Sequence, residues 1–69
     1  MIKVTDIKNT DSKSNSFLIS AFADTKGEVA TGEFVGLPEG AEIEMGSDVM
    51  TASGEMAFMK SDGTWNWLG

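Results

Sequence analysis

Residues 17–23 read Phe17-Leu18-Ile19-Ser20-Ala21-Phe22-Ala23, and this stretch decides the fold class. Side chains alternate across a strand with period two, so Phe17, Ile19, Ala21 and Ala23 share one side while Leu18 and Phe22 share the other. Both sides are therefore apolar. A strand with one solvated face would show polar residues there. The pattern predicts either a central strand of a sandwich or barrel, or a strand whose second face is covered by another subunit.

Downstream, Asp24-Thr25-Lys26-Gly27 carries Asp and Gly at the first and last positions of a type I turn. This predicts a hairpin into a return strand over 28–35. A three-residue turn sets Leu18 opposite Phe34 and Phe22 opposite Ala30; a two-residue Lys26-Gly27 turn sets Ile19 opposite Phe34 instead. Gly36-Leu37-Pro38-Glu39-Gly40 is a break, because Pro38 cannot donate to a ladder. Short strands follow over 41–45, 49–52 and 56–60, parted by Gly46-Ser47-Asp48 and Ser53-Gly54-Glu55. Asp62-Gly63 is a strong two-residue hairpin signal into 64–68. It would set Lys60 against Trp65 and Phe58 against Trp67, an aromatic hairpin that forms core, with the Lys60 stem over Trp65.

Upstream, 2–7 is a strand carrying Ile2, Val4 and Ile7. Residues 8–16 are a polar loop free to move. No segment keeps apolar residues at helical spacing. The expectation is one all-β domain over 1–69. It would be a small antiparallel hairpin or meander sheet of five or six short strands, sandwich-like or an open barrel. A faint echo between 20–30 and 47–57 aligns Gly27-Glu28 with Gly54-Glu55, as two similar hairpins would.

Composition removes whole classes of function. With 69 residues and no Cys, the chain has no disulfide framework, and with no His it lacks the usual ligands for zinc, copper and haem. Five Lys, no Arg and 11 acids give a net charge of −6, which argues against binding nucleic acid or an anionic membrane. No apolar run approaches a membrane span, and the N-terminus has no apolar leader, so a soluble, unexported protein is expected. A domain this small buries little core of its own, which points to association as a route to stability.

No catalytic, cofactor-binding or metal-ligating residue is expected. Glu42 and Glu44 share one side of a strand, as a glycosidase pair would, but they also read as solvated carboxylates that discourage aggregation. Asp24, Thr25 and Glu28 around Gly27 form only a fragment of a calcium loop, and a turn explains them better. No phosphate-binding glycine motif occurs, and no Ser or Thr has an activating base in a known pattern. The dense methionines, Met45, Met50, Met56 and Met59, suit core filling and also adaptable contact surfaces. Leu18, Phe22, Phe34, Met50, Phe58, Trp65 and Trp67 are the residues expected to divide between core and subunit contact.

Leu37-Pro38-Glu39-Gly40-Ala41, Gly46-Ser47-Asp48-Val49-Met50-Thr51-Ala52-Ser53-Gly54-Glu55-Met56-Ala57-Phe58-Met59 and Asp62-Gly63-Thr64-Trp65 together resemble small virion-region proteins of tailed bacteriophages and prophages. Those carry Pro-x-Gly, an apolar strand, T-G-E-apolar-x-x-[FM] and a late G-x-W. The match spans residues 37–68. Ser53 stands where Thr is usual, and the spacing from Pro38 to the strand is longer. The resemblance implies a non-catalytic structural or accessory protein of a phage particle: a capsid decoration, head–tail or tail component. Its partners would be copies of itself or other virion proteins, and it would sit in the virion after assembly in the bacterial cytoplasm. The alternative is a small acidic phage inhibitor or adaptor that binds a host protein. The acids are spread along the chain and dense only over 39–44, which favours general solubility over charge mimicry.

Overall fold

Two long strands, Ile2–Lys8 (β1) and Ser16–Ala23 (β2), pair antiparallel and form the spine of the sheet. The computed structural model describes residues 1–9 and 11–68, so Thr10, inside the expected polar loop, lies outside the described residues. The protein is predominantly β. Among the described residues, seven strands form one open, mixed sheet in the order β3-β1-β2-β5-β6-β7, with β4 also on β2. The remaining strands are Phe34–Val35 (β3), Glu42–Ile43 (β4), Asp48–Thr51 (β5), Met56–Met59 (β6) and Trp65–Leu68 (β7).

The expected hairpin after residue 23 does not form. Thr25 is instead a helix N-cap in the sequence T-x-x-E, and its hydroxyl oxygen accepts from the Glu28 N–H at 3.2 Å. A single helical turn, Lys26–Val29 (α1), follows and drives Val29 into the core at 2% exposure. Beside the cap, the Met1 α-amino group meets Asp24 at 2.7 Å and also Glu28. The chain then crosses to the far side of β1, where β3 pairs parallel to it, so Phe34 lies beside Ile2 rather than Leu18 or Ile19. Phe22 correspondingly pairs with Lys3 and Met50, not Ala30.

The sheet is not a pure meander, because β2 pairs parallel with both β4 and β5. A parallel neighbour needs a long crossover, and residues 24–47 provide it. β4 covers the start of β2 (Ser16↔Glu42, Phe17↔Ile43) and β5 covers its end (Ser20↔Asp48 to Ala23↔Thr51). Between them the chain bulges away over 45–47, which would strand the Ile19 N–H. That group donates to the Ser47 hydroxyl at 2.9 Å. Ser47 is 1% exposed, and its backbone carbonyl accepts from the Met59 N–H at 2.8 Å. One serine thus joins β2, the β4–β5 break and β6.

Inward positions run Ala21, Val49, Ala57 and Trp67 across four adjacent strands. Ile2, Ile19, Ala21, Ala23, Val29, Val49 and Ala57 make the buried cluster, with Phe34, Leu37, Trp65 and Trp67 packed on it. β3 and β7 stand at opposite ends of the strand order, yet the rings of Phe34 and Trp65 stack with centroids 6.2 Å apart. The sheet therefore curls around its core, and this ring pair spans the opening between its edges. Lys26 of α1 places its ammonium 5.1 Å from the Trp67 ring centroid, a cation–π contact at the same opening.

The last hairpin differs from expectation by one residue. Lys60 N–H donates to the Thr64 carbonyl and Gly63 N–H to the Lys60 carbonyl, so the loop is three residues, 61–63, with Gly63 at φ 85°. The β5–β6 loop, 52–54, has the same design, with Gly54 at φ 90°. A one-residue slip exchanges the faces of a strand. Phe58 therefore opposes Asn66, and Trp65 and Trp67 oppose Met59 and Ala57 on the core side. Lys60 lies over Asp62 rather than Trp65, at 3.9 Å. The echo of Gly27-Glu28 with Gly54-Glu55 has no structural counterpart, since Gly27 lies in α1; the true pair of turns is 52–54 and 61–63.

Two outcomes follow from these joints. Ser47→Ala leaves the buried Ile19 N–H without its acceptor and should cost about 1–3 kcal/mol in denaturant unfolding. Asp62 accepts from the Thr64 hydroxyl at 2.6 Å and from its backbone N–H at 3.0 Å, bonds that hold its carboxyl below its ordinary pKa. A depressed folded-state value adds stability above the unfolded carboxylate range and loses it as pH falls through the folded value. The melting temperature of Asp62→Ala should therefore fall below the parent at neutral pH, and the difference should close in acid.

Candidate functional site

The curl leaves the outward face of the sheet uncovered, and its composition is unusual for a solvated surface. Lys3, Phe22, Met50, Met56 and Leu68 occupy directly paired outward positions on five adjacent strands. One row along, Asp6, Ser20, Asp48, Phe58 and Asn66 do the same. Phe22 is 42% exposed, Met50 44%, Phe58 39% and Leu68 50%. Side chains opposite one another across strands stand about 5 Å apart at Cβ, so these form one continuous apolar strip. A shallow dimple between Thr5, Phe22, Met50 and Met56 lies within it. The bulge at Thr5 shapes this end: its hydroxyl donates to the Ser20 carbonyl at 3.1 Å, and the β1 register shifts there.

Charge on this face is nearly balanced. Its strand positions carry Lys3, Lys8, Asp6, Asp48 and, beside Ser16, Glu42, two cations against three acids, so all but one unit of the net charge of −6 resides elsewhere on the molecule. Lys8 pairs with Leu18, which is half-buried under Gly46.

The seven contact candidates thus separate by face. Phe22, Met50 and Phe58 lie on the open side. Phe34, Trp65 and Trp67 pack on the core side, and Leu18 is outward but partly covered. Leu68 and Met56 complete the strip and were not among the candidates. Their signal was available in the Asp62-Gly63 hairpin, but it needed the three-residue loop to place them outward.

A second concavity, about 680 Å³ and wide open, lies at the sheet opening between Phe34, Leu37, Ile43, Met59 and Trp65. Glu42, Lys60 and Asp62 line its polar side, where Lys60 and Asp62 form a loose ion pair at 3.9 Å. Glu42 is exposed and Glu44 half-buried, with backbone N–H groups donating to Asn15 and Phe17 carbonyls as β4 continues along β2. Asp24, Thr25 and Glu28 serve the helix cap and the Met1 amino group rather than a calcium loop. Among the described residues no group of three or more acidic side chains is arranged to hold a metal ion, and no helix is long and apolar enough to cross a membrane. Comparisons with family models, with curated proteins and with solved structures gave no match.

The two faces should respond differently to substitution. Trp67→Ala removes a ring packed on the core and held by Lys26, and should cost about 3 kcal/mol. Phe58→Thr, on the open face, should stay within about 0.5 kcal/mol of the parent in dilute solution. Chemical denaturation of both variants at low protein concentration checks the assignment.

Proposed function

We propose that the protein is a non-catalytic structural or accessory component of a tailed-phage particle, and that it works by protein–protein contact through the outward face of its sheet. The observation that carries the contact role is the exposed strip of Phe22, Met50, Phe58 and Leu68 on a sheet face with no second layer. A contiguous apolar strip of this kind on a soluble protein is often a contact site. The assignment to a particle rests on the Pro38-x-Gly40, Ser53-Gly54-Glu55 and Asp62-Gly63-Thr64-Trp65 pattern, which resembles small virion-region proteins. Both hairpin turns of that pattern build the strip, because they set the registers of β5, β6 and β7. A charge-mimicking inhibitor would present its acids together on the contact surface, whereas here that surface is nearly neutral.

Co-sedimentation with intact particles, produced in the strain that encodes the protein, tests this reading. The tagged chain should pellet with particles, Phe22→Asp should remain in the supernatant, and Glu42→Lys should reduce pelleting less than Phe22→Asp does. A chain that stays soluble, or one recovered in a complex with a single host enzyme, would overturn it.

A further inference from the structure

We infer that the outward face pairs with the same face of a second copy of this chain, in a two-fold dimer that buries the Phe22–Met50–Met56–Leu68 strip of each against the other. This rests on the reading of that face as a contact surface and adds the identity of the partner. Charge placement selects the second copy. Each molecule carries −6, and nearly all of that excess lies off the outward face, which holds two Lys, two Asp and, at its β4 margin, Glu42. The rest of the surface carries most of the acidic excess, while this contact joins two nearly neutral surfaces. A face bearing both signs beside an apolar centre also meets the self-complementarity that a two-fold interface demands.

The areas agree. A large side chain offers about 200 Å², so the exposed fractions of Phe22, Met50, Phe58 and Leu68 leave on the order of 300 Å² of apolar surface per copy. Two copies contribute about 600 Å², near the apolar share of an interface at the small end of the standard range. Exposed methionine suits such a joint, since an unbranched side chain can fill the irregular gaps between two twisted sheets. The dimple beside Met50 and Met56 offers space for a ring from the facing copy.

The direction of the salt effect is diagnostic. Two bodies of like net charge repel, and salt screens that repulsion while leaving the apolar contact in place. Sedimentation equilibrium should show a monomer–dimer equilibrium that tightens with added sodium chloride. Phe22→Asp should raise the dissociation constant at least about tenfold, a shift of about 1.4 kcal/mol, with far-UV circular dichroism confirming the fold. The chain has no Cys, so single substitutions report proximity cleanly. Met50→Cys should form a disulfide-linked dimer on mild oxidation, and Glu39→Cys should not. The cross-link decides the matter should Phe22→Asp fail to fold.

A monomer at every concentration, or a dimer without the Met50→Cys cross-link, overturns the inference. A monomer that still pellets with particles through Phe22 removes the dimer and leaves the particle role standing. A dimer that never pellets does the reverse.

Discussion

The hydrogen bond from the Ile19 N–H to the Ser47 hydroxyl holds together the part of this fold that secondary structure alone would leave broken. β2 is flanked on one side by two short strands rather than one long one, and the bulge between them removes the backbone acceptor at the centre of the sheet. A buried N–H without an acceptor is costly, so the break is tolerable only with a short hydroxyl side chain at that point. Ser47 also hands its carbonyl to Met59, which fixes β6 to the same joint. From that one position the registers of β2, β5 and β6 become mutually dependent, and the core row Ala21–Val49–Ala57–Trp67 is their result.

The two faces of the sheet are unequal because the chain has material for only one cover. α1, Leu37 and the Phe34–Trp65 ring pair close the inner side, and the small residues Ala21, Ala23 and Ala57 let the layers approach. Nothing remains for the outer side. Its large apolar residues, Phe22, Met50, Phe58 and Leu68, therefore stay partly open to solvent in the monomer.

The apolar character of both faces of β2 was legible directly, since period-two alternation needs no knowledge of partners. So were the all-β class, the breaks at Pro38 and Gly46, and the hairpin at Asp62-Gly63. Register was not: Asp-Gly supports a two-residue loop as well as a three-residue one, and only the Lys60–Thr64 bond separates them. That single residue decides whether Phe58 or the tryptophans meet the core. The helical turn was missed because four residues give no periodicity, although Thr25-x-x-Glu28 carried its capping signature. Parallel pairing of β2 with β5 joins Ser20 to Asp48 across a crossover that leaves no local trace. Ser47 read as an ordinary turn residue because its importance comes from Ile19, far away in the chain.

That same distance separates the fold into fast and slow parts. The turns at 52–54 and 61–63 close between near neighbours, and hairpins of this kind form on the order of 1–10 μs. The parallel seam between Ser20 and Asp48 must instead wait for a long loop to close, and it gains little until the Ile19–Ser47 bond and the core row form together. The C-terminal meander, β5 to β7, is thus positioned to assemble first. Its outward Met50, Met56, Phe58 and Leu68 stand in place before the inner face has found its cover. During synthesis β1 and β2 emerge ahead of the partner they require, with both faces of β2 unsatisfied.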